Sequence, residues 1–172
     1  MQDTLPIHFA PLQGYTEAIY RNAHDAFFGG VDTYYTPFVR LEKGNFRRRD
    51  VRGIEPENNG VPHLIPQLIA SSAEKAEVIL SLFIEKGYQE VDINLGCPFP
   101  LLAKRHNGSG ILPYPEEVKA LLSIVTRYPQ ISFSVKMRLG WEQPDECLAL
   151  APILNDLPLR QITMHPRLGK QG

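Results

Sequence analysis

The chain has 172 residues, of which 43% are hydrophobic and 22% are charged. This balance is typical of a folded globular protein with an apolar core, and it excludes disordered and collagen-like chains. The 18 basic and 19 acidic residues give a net charge of −1, so nucleic-acid binding would require a local basic patch. No hydrophobic run is long enough to cross a bilayer and the first residues do not form a signal peptide, so we expect a cytoplasmic protein without membrane attachment.

The number and spacing of the cysteines also limit the disulfide and metal sites that the chain can form. Cys97 and Cys147 lie far apart in the sequence and neither has a second cysteine nearby. A disulfide framework and a cysteine-rich zinc site are therefore excluded, and we expect no metal site.

Runs of β-branched and aromatic residues predict six short strands along the chain. In chain order, they cover residues 5–10, 32–36, 64–69, 90–95, 131–137 and 160–164. The stretch between the second and third strands, residues 37–62, is rich in glycine, asparagine and charged residues. It is predicted to be a loop, within which a short helix remains possible.

Apolar residues at helical spacing predict four helices between these strands. They cover residues 17–28, 71–87, 115–125 and 145–154. Thr16 is placed to cap the first helix, because a hydroxyl can accept a hydrogen bond from an otherwise unpartnered backbone N–H. Pro115 suits the first turn of the third helix, whereas Pro152 should kink the last helix or end it early.

Strands that alternate with helices are typical of a parallel sheet, because a parallel neighbour needs a crossover connection. A doubly wound sheet and a (β/α)8 barrel both satisfy this pattern. Several polar residues fall at or just past the carboxyl ends of predicted strands: Gln67, Asn94, Lys136, Arg138, His165 and Arg167. Barrels build active sites at that end, which favours the barrel, although each residue taken singly could be a solvated strand end.

Six short motifs follow one another along the chain. They are Ala10-Pro11-Leu12, Gln67-Leu68, Asp92-Ile93-Asn94-Leu95-Gly96-Cys97-Pro98, Gly108-Ser109-Gly110-Ile111-Leu112, Lys136-Met137-Arg138-Leu139-Gly140 and His165-Pro166-Arg167. In this order they resemble the tRNA-dihydrouridine synthases, over essentially the whole chain. The resemblance implies an α/β TIM (β/α)8 barrel that binds FMN, takes electrons from NADPH and reduces uridine to 5,6-dihydrouridine in tRNA.

By this resemblance, Cys97 is the catalytic residue that gives a proton to C5 of the uracil base. A free thiol has a pKa of about 8.5, so it is mostly protonated near neutral pH and can still release its proton to a developing carbanion. The alternative is that Cys97 is a small buried hydrophobic residue, but a Gly-Cys-Pro turn is a poor place for core packing. Cys147, inside an apolar helix, fits that alternative better.

The resemblance also implies a set of FMN contacts. They are Pro11, Leu12, Gln67, Lys136, His165 and Arg167. Lys136 would stabilise negative charge on the flavin pyrimidine ring, because a fixed cation favours charge that develops beside it. Gln67 would form hydrogen bonds with the polar edge of that ring.

Asn94 and Arg138 are expected to bind substrate. For Asn94 a flavin contact is also possible, and Arg138 is equally compatible with a structural salt bridge inside the barrel. A local basic segment offers a further contact with tRNA phosphates: Arg40, Lys43, Arg47, Arg48, Arg49 and Arg52. An ordinary solvated loop explains this segment equally well.

A complete barrel has eight strands in about 250 residues, whereas six are predicted here. We therefore expect residues 1–172 to form the N-terminal part of an FMN-binding TIM barrel, without its last two strands and without the family's C-terminal helical RNA-binding domain. The unpaired outer strands would favour self-association. Two other interpretations remain: an FMN-dependent pyrimidine oxidoreductase similar to dihydroorotate dehydrogenase, and an inactive truncated remnant that only binds RNA or a partner.

Overall fold

The computed structural model describes residues 5–171; residues 1–4, on which the expectation about a signal peptide partly rests, and Gly172 lie outside the described residues. The strands are β1 (His8–Phe9), β2 (Thr33–Tyr35), β3 (Leu41–Glu42), β4 (Asn45–Phe46), β5 (Leu64–Ile65), β6 (Gln67–Leu68), β7 (Glu90–Leu95), β8 (Ser132–Gly140) and β9 (Leu159–Leu168). The helices are α1 (Ala18–Phe27), α2 (Arg48–Ile54), α3 (Ala73–Glu85), α4 (Pro100–Ala103), α5 (Pro115–Leu122), α6 (Ile124–Arg127) and α7 (Glu146–Asn155), with 3₁₀ turns at Pro56–Asn58 and Gly108–Ile111.

Two parallel ladders, β1–β2–β5 and β6–β7–β8–β9, form the centre of the fold. They meet at Pro66, whose carbonyl accepts a hydrogen bond from the backbone N–H of Asp92 in β7 (3.0 Å). Strands β5 and β6 thus continue one another across Pro66, and the strand predicted at 64–69 is confirmed. Within residues 5–171, β1 and β9 each pair with a single neighbour, so the α/β fold has parallel sheets and no closed barrel.

The main core lies between this sheet and the helices that follow its strands. Three apolar side chains of β7 are fully buried there: Val91, Ile93 and Leu95. They belong to one cluster with Phe83 of α3 and Leu121 of α5. The polar residues between them, Asp92 and Asn94, form hydrogen bonds on the other face, as the alternation along a strand predicts.

Residues 37–62 are more ordered than the predicted loop. A two-residue turn, Lys43 (φ 51°) and Gly44 (φ 80°), joins β3 and β4 into an antiparallel hairpin. Two successive positive φ angles are typical of the turns that suit the twist of a hairpin, but lysine rarely adopts one, so this turn could not be predicted from its residue types. The short helix that remained possible is α2.

One detail of the predicted helices is wrong. Thr16 does not cap α1, because its Oγ1 accepts a hydrogen bond from the backbone N–H of Leu12 (2.9 Å) and closes the turn before the helix. Of the two outcomes predicted for Pro152, a kink or an early end, the early end is not found, because α7 continues to Asn155. Leu150 and Leu154 are buried in the core on either side of the proline, and we infer that their packing outweighs the missing hydrogen bond.

Among residues 5–171, none of the helices has the length and apolar character that crossing a membrane requires.

Candidate active site

A cleft of about 580 Å³ opens at the carboxyl ends of the parallel strands. Its lining residues come from six segments: Ala10, Pro11, Leu12 and Gln13 after β1, Pro37 and Phe38 after β2, Gln67 on β6, Asn94, Gly96, Cys97 and Pro98 on and after β7, Lys136 and Arg138 on β8, and His165 on β9. The cleft brings together eight of the nine residues that the sequence singled out. Arg167 is exposed and is not among the lining residues.

The strand ends differ from the predicted ones on β8 and β9. The hydrogen-bonded register continues through Arg138 with His165 and reaches Gly140 with Leu168. Arg138, His165 and Arg167 therefore lie within strands, not just past their ends, and Lys136 lies within β8 as predicted. Because residues on extended backbone alternate between faces, Lys136 and Arg138 both point to the cleft side of β8.

A buried hydrogen-bond network forms the floor of the cleft. Gln67 Nε2 donates to Asp92 Oδ2 (2.6 Å), and Asn94 Nδ2 donates to Gln67 Oε1 (2.8 Å). Ser134 Oγ donates to the other carboxylate oxygen of Asp92 (2.5 Å). Since Gln67, Asp92 and Ser134 share one register across three strands, the sheet itself sets their spacing.

The loop that carries Cys97 is held on both sides of the cysteine. Asn94 Oδ1 accepts hydrogen bonds from the backbone N–H groups of Gly96 (3.0 Å) and Cys97 (2.9 Å). The carbonyl of Cys97 accepts from both the Oγ and the backbone N–H of Ser109 (2.9 and 3.0 Å). Gly108 has a φ of 59°, and a Cβ there would lie 2.6 Å from the Cys97 carbonyl oxygen. The Gly108-Ser109 motif therefore positions Cys97.

Burial raises the pKa of the Cys97 thiol. The residue packs against a small apolar cluster of Phe38, Ile69 and Leu102. The backbone N–H of Phe99 and the positive charges of Arg138 and Arg40 oppose this shift but do not cancel it. The thiol thus keeps its proton at neutral pH, which is the state required of a proton donor.

Lys136 and His165 also line the cleft and have shifted pKa values. Burial lowers the pKa of Lys136, and the nearby Asp92 partly opposes this shift. The pKa of His165 is lowered by burial and by the positive charges of Arg138, Lys136 and Arg167. A lowered pKa leaves the His165 imidazole neutral near pH 7, so its ring can donate one hydrogen bond and accept another.

Arg138 is tied to the backbone. Its Nε donates to the carbonyl of Gly96 (3.0 Å), and its Nη1 donates to the carbonyls of Leu168 (2.7 Å) and Gln171 (3.2 Å). Within the described chain it has no carboxylate partner at ion-pair distance, so the structural salt bridge considered from the sequence is not formed. The guanidinium instead joins the Cys97 loop to the end of β9.

Sequence reasoning missed several residues of the site. Asp92 and Ser134 form the buried part of the network, and Pro37 and Phe38 form part of the wall. Alternation placed Asp92 on the polar face of β7, but its partners depend on the register of three strands, which the sequence does not reveal. Gln13 was not singled out either; both polar atoms of its side chain are buried and lack a hydrogen-bond partner among residues 5–171. Gln13 could have been found from its position, because it is a polar residue directly after Pro11-Leu12.

The fold and cleft define a parallel α/β protein with a polar site at the carboxyl ends of its strands. The family model for dihydrouridine synthase (Dus) matches residues 8–172. The chain belongs to the dihydrouridine synthase family. This match favours the tRNA enzymes over the dihydroorotate dehydrogenases that the sequence left open.

Curated relatives agree with the family match. The chain is 28% identical over 170 residues to "Probable tRNA-dihydrouridine synthase 1" of Synechocystis sp., covering 95% of this chain and 46% of the relative. It is 28% identical over 183 residues to "tRNA-dihydrouridine(16) synthase" of Haemophilus ducreyi, covering 96% and 53%. It is 31% identical over 103 residues to "tRNA-dihydrouridine synthase B" of Vibrio cholerae, covering 59% and 30%. The chain thus spans about half the length of the relatives that it matches over most of its sequence.

Proposed function

We propose that this chain is the N-terminal part of a TIM barrel that binds FMN and reduces uridine in tRNA to 5,6-dihydrouridine with NADPH. The observation that carries the proposal is the convergence of Cys97, Lys136, Gln67 and Asn94 on one cleft. These residues lie on three adjacent strands and the loop after β7, so a proton donor, a cation and two amides face one space.

The barrel is supported by the strand arrangement and by the apolar surface at its two ends. The pairing of β1, β2, the β5–β6 strand, β7, β8 and β9 amounts to six parallel positions of an eight-stranded barrel. Several large apolar side chains on the outer strands or on the segments joined to them are exposed: Leu5, Ile7, Ile19, Phe27 and Phe28 before and after β1, and Leu148, Ile162 and Met164 on α7 and β9. Two further βα units would cover both surfaces and pair both strand edges.

The residues of the cleft fit the pyrimidine side of a flavin. A volume of about 580 Å³ lies within the range of roughly 300–1,000 Å³ that small-molecule sites occupy. Gln67 and Asn94 each keep one amide hydrogen beyond those used in the network, and Lys136 adds an ammonium group. Such donors suit the carbonyl oxygens and ring nitrogens of an isoalloxazine, and Pro11 and Leu12 supply an apolar wall. His165 lines the cleft and would add to these contacts, whereas Arg167, exposed two residues further along β9, would reach the bound group from outside the lining.

In this proposal, bound FMN supplies the hydride for C6 of the uracil base, with NADPH as its source. Cys97 gives its proton to C5, because its raised pKa keeps the thiol protonated until a carbanion develops. Lys136 keeps positive charge beside the bound ring and favours the negatively charged form of that ring. Asn94 orients the Cys97 loop, and Arg138 holds it while its remaining N–H groups are available to substrate.

For tRNA, we propose that the basic segment after β2 contacts phosphates. Four of its cations are exposed: Lys43, Arg48, Arg49 and Arg52. Arg47 is instead paired with the buried carboxylate of Asp50 through two hydrogen bonds (2.7 and 2.8 Å), and it holds the start of α2. Because tRNA modification takes place where tRNA is made and used, we place the protein in the cytoplasm.

The experiment that tests this function is the formation of dihydrouridine in unmodified tRNA, measured by mass spectrometry of the nucleosides, with FMN and NADPH present. We expect Cys97→Ala to slow product formation by about 10²–10⁴-fold, the usual contribution of a positioned general acid, without changing FMN reduction by NADPH. Cys147→Ala, at the other cysteine, should match the parent protein.

Two results would contradict the proposal. One is a parent chain that binds FMN and tRNA and still forms no dihydrouridine. The other is a Cys97→Ala rate equal to that of the parent. Binding of tRNA without any binding of FMN would instead support the inactive remnant.

A further inference from the structure

Asp92 is a buried titratable group to which the proposed chemistry gives no role. Its side chain is 1% exposed and lies beneath the cleft, on β7 between the fully buried Val91 and Ile93. A buried carboxyl group costs free energy unless it is satisfied by hydrogen bonds. Both of its oxygens accept hydrogen bonds, from Gln67 and from Ser134. Its position suggests a role in orienting the groups above it.

Starting from Asp92, the network permits one orientation of each amide. Burial raises the pKa of Asp92, and the hydrogen bonds from Gln67 and Ser134 oppose that shift. Because both oxygens of the carboxyl group accept hydrogen bonds, the Gln67 side chain must turn its Nε2 toward Asp92. Gln67 Oε1 is then left to accept, and Asn94 must present its Nδ2 to it. Asn94 Oδ1 therefore points the other way, toward the Cys97 loop.

Starting from the loop leads to the same arrangement. The backbone N–H groups of Gly96 and Cys97 can only donate, so they require Asn94 Oδ1 and exclude Nδ2 at that position. The two ends of the network, a carboxylate and two backbone N–H groups, thus demand the same pair of amide orientations. The two ends agree although they are connected through the side chains of Asp92, Gln67 and Asn94, and although Gln67 and Cys97 lie far apart in the sequence.

We propose that Asp92, together with Ser134, is a positioning residue that fixes the amide orientations of Gln67 and Asn94 and, through them, the place of Cys97. It touches neither flavin nor uridine in this scheme. Its effect is to keep hydrogen-bond donors available at the cleft floor and an acceptor beneath the cysteine loop. The role of these orientations in catalysis rests on the proposed function, whereas the orientations themselves do not.

Ser134 makes the proposal testable with small substitutions. Its hydroxyl can donate or accept, so it can serve a carboxylate or an amide. In Asp92→Asn, the new amide can keep its oxygen toward Gln67 and donate its N–H to Ser134. In Ser134→Ala, the carboxylate remains an acceptor toward Gln67. Only the double variant has an amide at position 92 without the Ser134 hydroxyl that would fix its orientation.

The test is a double-mutant cycle with the rate of Cys97 alkylation by iodoacetamide as the readout, in a Cys147→Ser background so that one thiol reacts. We expect Asp92→Asn and Ser134→Ala each to change the rate by less than about threefold. The double variant should exceed the product of the single effects by about tenfold or more, because the cysteine loop loses its acceptor. Circular dichroism establishes that each variant is folded.

A double-variant rate equal to or below the product of the single effects would overturn the proposal, because Asp92 and Ser134 would then act on the cysteine loop independently. Alkylation needs neither flavin nor tRNA, so failure of the proposed function does not affect this result. FMN titration of the same variants gives a second readout, in which only the double variant should bind FMN more weakly.

Discussion

At the scale of single residues, the Cys97 thiol combines a protonated state with a fixed position. The apolar cluster of Phe38, Ile69 and Leu102 raises its pKa, while hydrogen bonds to its own backbone N–H and C=O hold the loop. Nucleophilic cysteines differ from this, because nearby charge lowers their pKa and generates thiolate. The environment of Cys97 therefore suits proton donation better than nucleophilic attack.

A pH profile tests this difference. Because burial favours the neutral thiol, the thiolate of Cys97 should form only above the ordinary pKa of cysteine, and proton donation should persist to that higher pH. The check is the ultraviolet absorbance of thiolate as a function of pH in Cys147→Ser. Thiolate absorbance that appears at or below the pH at which a free cysteine ionises would contradict the account.

Gly108 offers a second prediction at this scale. A side chain at φ 59° is strained, and its Cβ would meet the backbone of Cys97. We expect Gly108→Ala to cost roughly 1–3 kcal/mol in the free energy of unfolding and to speed Cys97 alkylation. Gly60→Ala is the matched control, since no atom lies within 4 Å of a Cβ there. Urea denaturation measures the free energy of unfolding of both variants, and iodoacetamide measures their Cys97 alkylation rates. A Gly108→Ala protein with the stability and alkylation rate of the parent would refute the role of this glycine.

At the scale of elements, a buried arginine joins α1 to the end of α2 and to the segment after it. Arg21 is 0% exposed and donates to the carbonyls of Thr16 (2.6 Å) and Gly53 (2.8 Å) and to Asn59 Oδ1 (2.5 Å). Burial lowers its pKa to about 10, so it still carries a charge at neutral pH. The ordered structure within residues 37–62 thus depends partly on one side chain from the preceding helix.

Replacing that arginine should destabilise the fold. We expect Arg21→Met to lower the free energy of unfolding by roughly 2–4 kcal/mol, because two buried hydrogen bonds and one partly buried hydrogen bond are lost. Arg52→Met, at an exposed arginine of α2, should change it by less than about 0.5 kcal/mol. Urea denaturation compares the two, and equal midpoints would show that Arg21 does not join these elements.

Elements were easier to predict than their ends and partners. Alternation along β7 correctly separated Val91, Ile93 and Leu95 from Asp92 and Asn94, because one face of that strand is buried in the core. The lengths of β8 and β9 depend on pairing between strands, and the Lys43–Gly44 hairpin turn uses an unfavourable residue. The partners of Asp92 lie 25 and 42 positions away, at Gln67 and Ser134. Local sequence patterns carry no information about such contacts.

At the scale of the whole molecule, the two outer strands leave apolar surface uncovered. Ile19 and Phe27 of α1 are 82% and 84% exposed, and Leu148 of α7 is 69% exposed. Exposed apolar residues beside an open strand edge favour association with another chain.

We therefore expect concentration-dependent self-association, measured by sedimentation velocity. Substituting Ile19 and Phe27 with serine should shift the protein toward monomer, whereas substituting Val78, exposed on α3 away from both outer strands, should not. A parent chain that is monomeric at all concentrations would contradict this expectation.

The central claim is that the cleft holds FMN, and titration of the chain with FMN, followed by flavin fluorescence, tests it most directly. The account predicts saturable binding by the parent and by Lys119→Met, which removes an exposed lysine of α5. It predicts about tenfold weaker binding by Lys136→Met, which removes one of the two basic side chains, Lys136 and Arg138, that line the cleft from β8. Absence of saturable binding by the parent, or equal affinity in all three proteins, would contradict the account.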